Sequence, residues 1–177
     1  FSGTFAPVER LREIYDYCLS LARFEGLIIS TRPDCISDDV VTLLNHYQEQ
    51  GYEVWVELGL QSAHNETLVR INRGHTCEDF EKSYSKLREA GVQLTVHLIF
   101  GLPGEGEKEI IETIDYVARK GPDGIKIHNL HIVQGTTLCK EYLLGDLIVP
   151  TPARHLEYVI TALERIPPES VIMRLTC

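Results

Sequence analysis

The chain has 177 residues, with 17 Lys and Arg against 26 Asp and Glu and a net charge of -9. That length fits a single domain spanning 1–177 with a core of its own, and the acidic balance works against nonspecific nucleic-acid binding, which depends on neutralising phosphates. No apolar run approaches the ~20 residues of a membrane span, and residues 1–10 lack the basic flank and apolar stretch of a signal peptide.

In chain order, short β-rich runs alternate with amphipathic segments. Val8, Leu11, Ile14, Cys18, Leu19 and Ala22 recur at helical spacing, with Pro7 suited to a first turn. Leu27-Ile28-Ile29 reads as a short buried strand, followed by a helix over 38–50 that Gly51 stops. A strand is predicted over 52–58, where Val54, Val56 and Leu58 alternate with Trp55 and Glu57. Thr76 caps a helix running to 90, and 92–100 forms the next strand. Ile110, Ile111, Ile114, Val117 and Ala118 make a further helical stripe. A strand over 125–133, a short helix over 138–144, a helix from Thr151-Pro152 to 165 and a last strand over 171–175 complete the series.

Strands separated by helices imply βαβ units and a parallel sheet. Both a partial barrel and an open doubly wound sheet satisfy this pattern, and both place ligands at the carboxyl ends of the strands. The five cysteines, Cys18, Cys35, Cys77, Cys139 and Cys177, are scattered and form no CxxC clip. They read as free, mostly buried thiols of a protein in a reducing compartment, the cytoplasm.

Polar and glycine residues gather at the strand ends. They are Ser30-Thr31-Arg32-Pro33-Asp34, then Gln61 and Ser62 with Asn72-Arg73-Gly74-His75 one helical excursion later. His97 follows with Gly101-Leu102-Pro103-Gly104-Glu105, then His128, His131, Gln134, Gly135 and Thr136. A βα loop needs polar and glycine residues for its own turn, but four such loops at one rim point to a ligand site. Glu57 and His97 interrupt apolar strands. A buried carboxylate at 57 requires a cationic partner, a donor network or a wet cavity; a ligand ammonium satisfies this, and so does a salt bridge to Lys126 or an arginine. The glycine turn at 101–104 lets backbone approach a flat ligand, while Glu105, Glu107 and Glu109 suit the helix dipole and would repel a phosphate. No Walker, GxGxxG or serine-elbow pattern occurs.

Taken together, Trp55-Val56-Glu57-Leu58-Gly59-Leu60-Gln61-Ser62, Ile71-Asn72-Arg73-Gly74-His75, Ile99-Phe100-Gly101-Leu102-Pro103-Gly104-Glu105 and Gly124-Ile125-Lys126-Ile127-His128 with Gly135-Thr136 resemble the radical S-adenosylmethionine superfamily. The resemblance is to the branch containing the elongator catalytic subunit and oxygen-independent coproporphyrinogen oxidase, and within it to the YhcC-like bacterial subgroup. It implies an α/β fold, a partial (β/α)6 TIM-like barrel with parallel strands. It also implies a [4Fe-4S] cluster on a CxxxCxxC loop and S-adenosylmethionine cleaved to a 5′-deoxyadenosyl radical that acts on a substrate the sequence does not specify. No CxxxCxxC occurs here. The mid-strand look of Phe1-Ser2-Gly3-Thr4 favours a sequence that lacks the N-terminal part of the barrel over a protein that has lost the loop, and the abrupt finish at Cys177 reads the same way.

Carried over by position, the resemblance makes Gln61 and Arg73 binders of the methionine and ribose parts of the cofactor. Ser30 stands where some relatives carry a carboxylate, and His97 at a position often acidic in relatives. Glu57 belongs to the same set, and Ile99 with the Gly101 turn would lie against adenine. His128, His131 and Arg174 are candidate substrate-facing groups. Two other readings are an aldolase- or isomerase-type barrel using Glu57 and His97 as acid and base, and a noncatalytic, cluster-free binding module.

Overall fold

The computed structural model describes residues 2–176, so Cys177 lies outside the described residues. Its elements are α1 (Val8–Ser20), β1 (Gly26–Thr31), a 3-10 turn (Pro33–Cys35), α2 (Asp38–Glu49), β2 (Glu53–Gln61), α3 (Asn65–Arg70), α4 (Cys77–Glu89), β3 (Gln93–Phe100), α5 (Glu107–Ala118), β4 (Gly124–Asn129), α6 (Thr137–Leu144), α7 (Pro152–Leu163) and β5 (Val171–Arg174).

The strands are parallel and form one sheet in the order β1-β2-β3-β4-β5. A doubly wound sheet reverses its strand order at a switch point. Here strand order follows chain order without reversal, which is the winding of a (β/α) barrel and decides between the two architectures left open by the sequence.

Two compact units emerge from the contacts, one comprising residues up to Leu60 with His75–Val96, the other Gln61–Gly74 with the residues from His97 onward. In the first unit, β1 and β2 pair in register from Gly26↔Glu53 to Thr31↔Leu58. Val54, Val56, Leu58 and Leu60 are buried, as are Leu43, Leu44 and Tyr47 of α2 and Phe80 and Leu87 of α4. Tyr47 joins α2 to α1, its hydroxyl donating to Asp16 Oδ1 at 2.7 Å and its ring meeting Tyr15 edge-on at 6.0 Å. Caps follow local chemistry: the Ser37 side chain accepts from Val40 N, and Thr76 with Asp79 closes a reciprocal box at the start of α4.

In the second unit, β4 and β5 pair in parallel with a bulge between Ile125 and Lys126. Leu98 and Phe100 of β3, Ile125 and Ile127 of β4, and Ile110, Ile114 and Val117 of α5 are buried. Thr136 and Thr151 cap α6 and α7 by accepting from Cys139 N and Arg154 N.

Five sequence expectations need correction. Of Leu27-Ile28-Ile29, expected as a buried strand, only Ile29 is buried, while Leu27 is half-buried and Ile28 is exposed. On α1 only Leu11 and Tyr15 are buried, one turn apart, while Ile14 and Cys18 face solvent. None of the four described cysteines is fully buried: Cys18 is exposed, and Cys35, Cys77 and Cys139 are half-buried. β4 stops at Asn129 because Leu130 N turns aside to Phe100 O and the chain then coils through Gly135 at φ 85°. Residues 3 and 4 sit in a turn instead of a strand, though Gly3 N still donates to Ser30 O at 2.8 Å.

Candidate functional site

Period-two alternation decides which side chains each strand offers to a ligand. On β2 the apolar set is buried and the alternate set is Trp55, Glu57, Gly59 and Gln61. On β3 the alternate set is Thr95, His97 and Ile99, and on β4 it is Lys126 and His128. Residues expected at the site thus fall on the polar set of their strands.

In the first unit the structure joins Ser30 and Glu57. They are register partners across β1 and β2, and the Ser30 hydroxyl donates to Glu57 Oε2 at 2.5 Å. Glu57 is buried, so the expected donor network is present in at least this bond. Elsewhere in the Ser30–Asp34 string, the Thr31 hydroxyl bonds those of Ser2 and Thr4, Pro33 O accepts from the Ser83 hydroxyl, and the Arg32 guanidinium grips both Asp34 oxygens and holds that carboxyl below its usual range.

In the second unit Gln61, His97, Ile99, His128, Asn129, Leu130 and His131 line one cavity of about 360 Å³. The His97 and His128 rings lie 5.2 Å apart between centroids, inclined by 37°. The lining combines a buried carboxamide, an apolar wall at Ile99 and Leu130, and three imidazoles, with no carboxylate of its own. Such a mixture suits a compact ligand with an uncharged ring and several hydroxyls.

Gln61 enters this cavity from an unusual backbone. Its φ is +74°, a left-handed value that a residue with a Cβ rarely adopts. It is the last residue of β2 and is itself buried, and the strand runs three residues beyond its expected end to bring it there.

Arg73 and Gly101 are placed differently. Arg73 is half-buried in the turn after α3, between Asn72 at φ 52° and Gly74 at φ 79°, with its N–H donating to Leu68 O at 2.9 Å. Gly101, at φ 86°, packs against Pro150: an added Cβ would stand 2.6 Å from that ring. Neither is among the residues lining the cavity that holds Gln61. His131 and Arg174 are exposed, and Arg174 lies beside Lys126 in the β4–β5 register.

Sequence reasoning missed two parts of this region. Asn129 and Leu130 line the cavity from the end of β4, where a strand to 133 had been expected. Glu105, read from sequence as a helix-dipole residue, instead receives a very short hydrogen bond from the Ser62 hydroxyl. The dipole role falls to Glu109, which accepts from Gly106 N at 2.8 Å and whose carboxyl is held below its usual range by that bond.

A cluster site is absent among the described residues, where no group of three His, Cys, Asp or Glu side chains could hold a metal ion. No described helix is long and apolar enough to cross a membrane.

Residues 3–117 match the family model described as the radical SAM superfamily, and residues 122–177 match the radical SAM C-terminal domain. Protein YhcC of Escherichia coli K12 is 44% identical over 99% of this chain and 57% of its own length. The chain therefore spans just over half the length of the curated relatives it matches. Among solved structures, the archaeal Elp3 of Methanocaldococcus infernus with an N-terminal deletion superposes with a TM-score of 0.82 at 24% identity, covering 97% of this chain and 45% of that one. Coproporphyrinogen III oxidase (HemN) of E. coli, described as a radical SAM enzyme, gives 0.72 at 19% identity, over 92% and 37%. These structural likenesses show the fold.

Proposed function

This chain belongs to the radical SAM superfamily, and from that premise we propose that its second unit binds S-adenosylmethionine at the cavity lined by Gln61. The observation that carries the reading is the Gln61 carboxamide, buried and presented from a left-handed strand end beside the apolar Ile99. Its amide donates and accepts, as ribose hydroxyls require. Ile99 supplies a flat apolar wall for adenine. Arg73, outside the lining of that cavity, carries a planar fork matched to the carboxylate of the methionine end. In the first unit, Ser30 and the mid-strand Glu57 hold each other in place.

The described residues do not fit an iron–sulfur cluster, because no CxxxCxxC occurs and the described cysteines are scattered. The ligands of a [4Fe-4S] cluster would then lie outside these residues. Bound S-adenosylmethionine would supply a 5′-deoxyadenosyl group for hydrogen-atom abstraction. The chain's contribution is to bind, orient and exclude water. Its free thiols support a reducing compartment, the cytoplasm.

Calorimetric titration of S-adenosylmethionine into the full-length, cluster-loaded protein tests this. Arg73→Ala weakens binding by roughly 1.5–3 kcal/mol, the scale of a hydrogen bond to a charged group. Equal affinity for both forms removes Arg73 from the site.

A further inference from the structure

We propose that Glu105 is a positioning residue that clamps the Gln61 backbone through Ser62, an inference that rests on Gln61 being a cofactor-binding group. Gln61 keeps a left-handed φ of +74° although it carries a Cβ, and such conformations persist only where the surroundings over-determine them. The surroundings here are specific. Ser62, the next residue, is fully buried, and its hydroxyl donates to Glu105 Oε1. The same oxygen of Ser62 accepts from His64 N at 3.0 Å, so one hydroxyl ties the turn to itself and to Glu105. Ala63 N donates to Thr113 Oγ1 at 3.1 Å, and His64 Nε2 lies 3.1 Å from Glu109 O. Three consecutive residues after Gln61 are thus anchored to α5 or to the loop that leads into it.

Within that set Glu105 is the acceptor that fixes the hydroxyl. Burial raises its carboxyl above the ordinary range, while hydrogen bonds from Ser62 and from the buried Thr67 pull the other way. Thr67 lies on α3, so one carboxylate links the residue after Gln61 to the helix that leads to Arg73. Without it the buried Ser62 hydroxyl loses the bond that ties it to the loop before α5, its rotamer is released, and the left-handed strand end relaxes. The carboxamide of Gln61 then leaves its place on the cavity wall. Glu105 touches neither the cavity nor its contents; it acts through Ser62 and Gln61.

A double-mutant cycle in the full-length, cluster-loaded protein tests this, with S-adenosylmethionine as the probe and amide hydrogen exchange at Ala63 and His64 as a cofactor-free readout. Glu105→Ala weakens cofactor binding by about tenfold, within the coupling expected of one hydrogen-bond network. Glu105→Gln, whose side-chain oxygen still accepts from Ser62, restores it. In a Gln61→Ala background the Glu105→Ala effect disappears, whereas a merely structural role would persist there. Both amides exchange faster in Glu105→Ala with or without cofactor. Persistence of the loss in the Gln61→Ala background, or unchanged exchange, overturns the proposal. If the wild-type protein binds no S-adenosylmethionine, the reading of Gln61 falls, and the exchange arm alone decides the clamp: faster exchange upholds it and unchanged exchange refutes it. Should Glu105→Ala fail to fold, Ser62→Ala cuts the same bond from its other end, with exchange read at Ala63 alone because His64 N loses its own acceptor in that variant.

Discussion

Ser30 on β1 and Glu57 on β2 face each other in register, and the serine hydroxyl donates to the buried glutamate at 2.5 Å. A buried carboxylate needs its acceptors filled. Ser30→Ala therefore destabilises the fold by roughly 1.5–3 kcal/mol, the range for a hydrogen bond to a charged group. Urea unfolding measures this, and a change below about 0.5 kcal/mol, the usual scatter of surface substitutions, would contradict it.

Gly101 is constrained twice, by its φ of 86° and by Pro150, which leaves no room for a Cβ. Gly104 shares the left-handed backbone, at φ 85°, with open space around it. Gly101→Ala should cost roughly 2–4 kcal/mol, combining backbone and overpacking penalties, against about 1 kcal/mol for Gly104→Ala. Thermal or urea unfolding separates the two, and equal losses would show that Pro150 yields freely.

Cys77 opens α4, a place where the helix dipole ordinarily favours a thiolate. Burial overrides the dipole, pushing its thiol up to about 11, with Glu78 and Glu81 adding to the rise. Cys18 is exposed on α1. Iodoacetamide followed by peptide mass spectrometry should modify Cys18 at least about tenfold faster than Cys77, since the thiolate is the reacting form. Equal rates would contradict this.

Much of the fold was legible because its signals are local. Strand alternation at Val54, Val56 and Leu58, the caps at Thr76 and Thr151, and the stop at Gly51 all act within a few residues. Strand order was not legible, since a partial barrel and a doubly wound sheet share the same alternation. The candidate site divides in the same way. His97 and Ile99 lay within the strand predicted over 92–100 and Gln61 three residues past the predicted end of its own, and the structure brings all three onto one cavity. The bond from Ser62 to Glu105 spans 43 residues and depends on how two loops meet, which no local pattern encodes. Burial of α1 was misjudged because apolar spacing fits several stripes, and only packing of Tyr15 against Tyr47 chooses one.

The Glu105 carboxyl carries a pH signature. Its raised value in the fold means that the folded chain keeps a proton the unfolded chain has already released. The stability it contributes is present below the ordinary carboxylate range and is lost as pH rises through the folded titration. Urea unfolding of wild type and Glu105→Gln, from the ordinary carboxylate range upward in pH, checks the sign. The difference should move in favour of the glutamine form as pH rises, because glutamine does not titrate and still accepts from Ser62. A difference constant with pH would contradict it.

The most direct measurement is cofactor turnover by the full-length protein, reconstituted with iron and sulfide in the absence of oxygen and reduced with dithionite. The account predicts iron-dependent conversion of S-adenosylmethionine to methionine and 5′-deoxyadenosine in equal amounts, abolished in a protein stripped of iron. A colourless preparation that takes up no iron and leaves S-adenosylmethionine intact would contradict it.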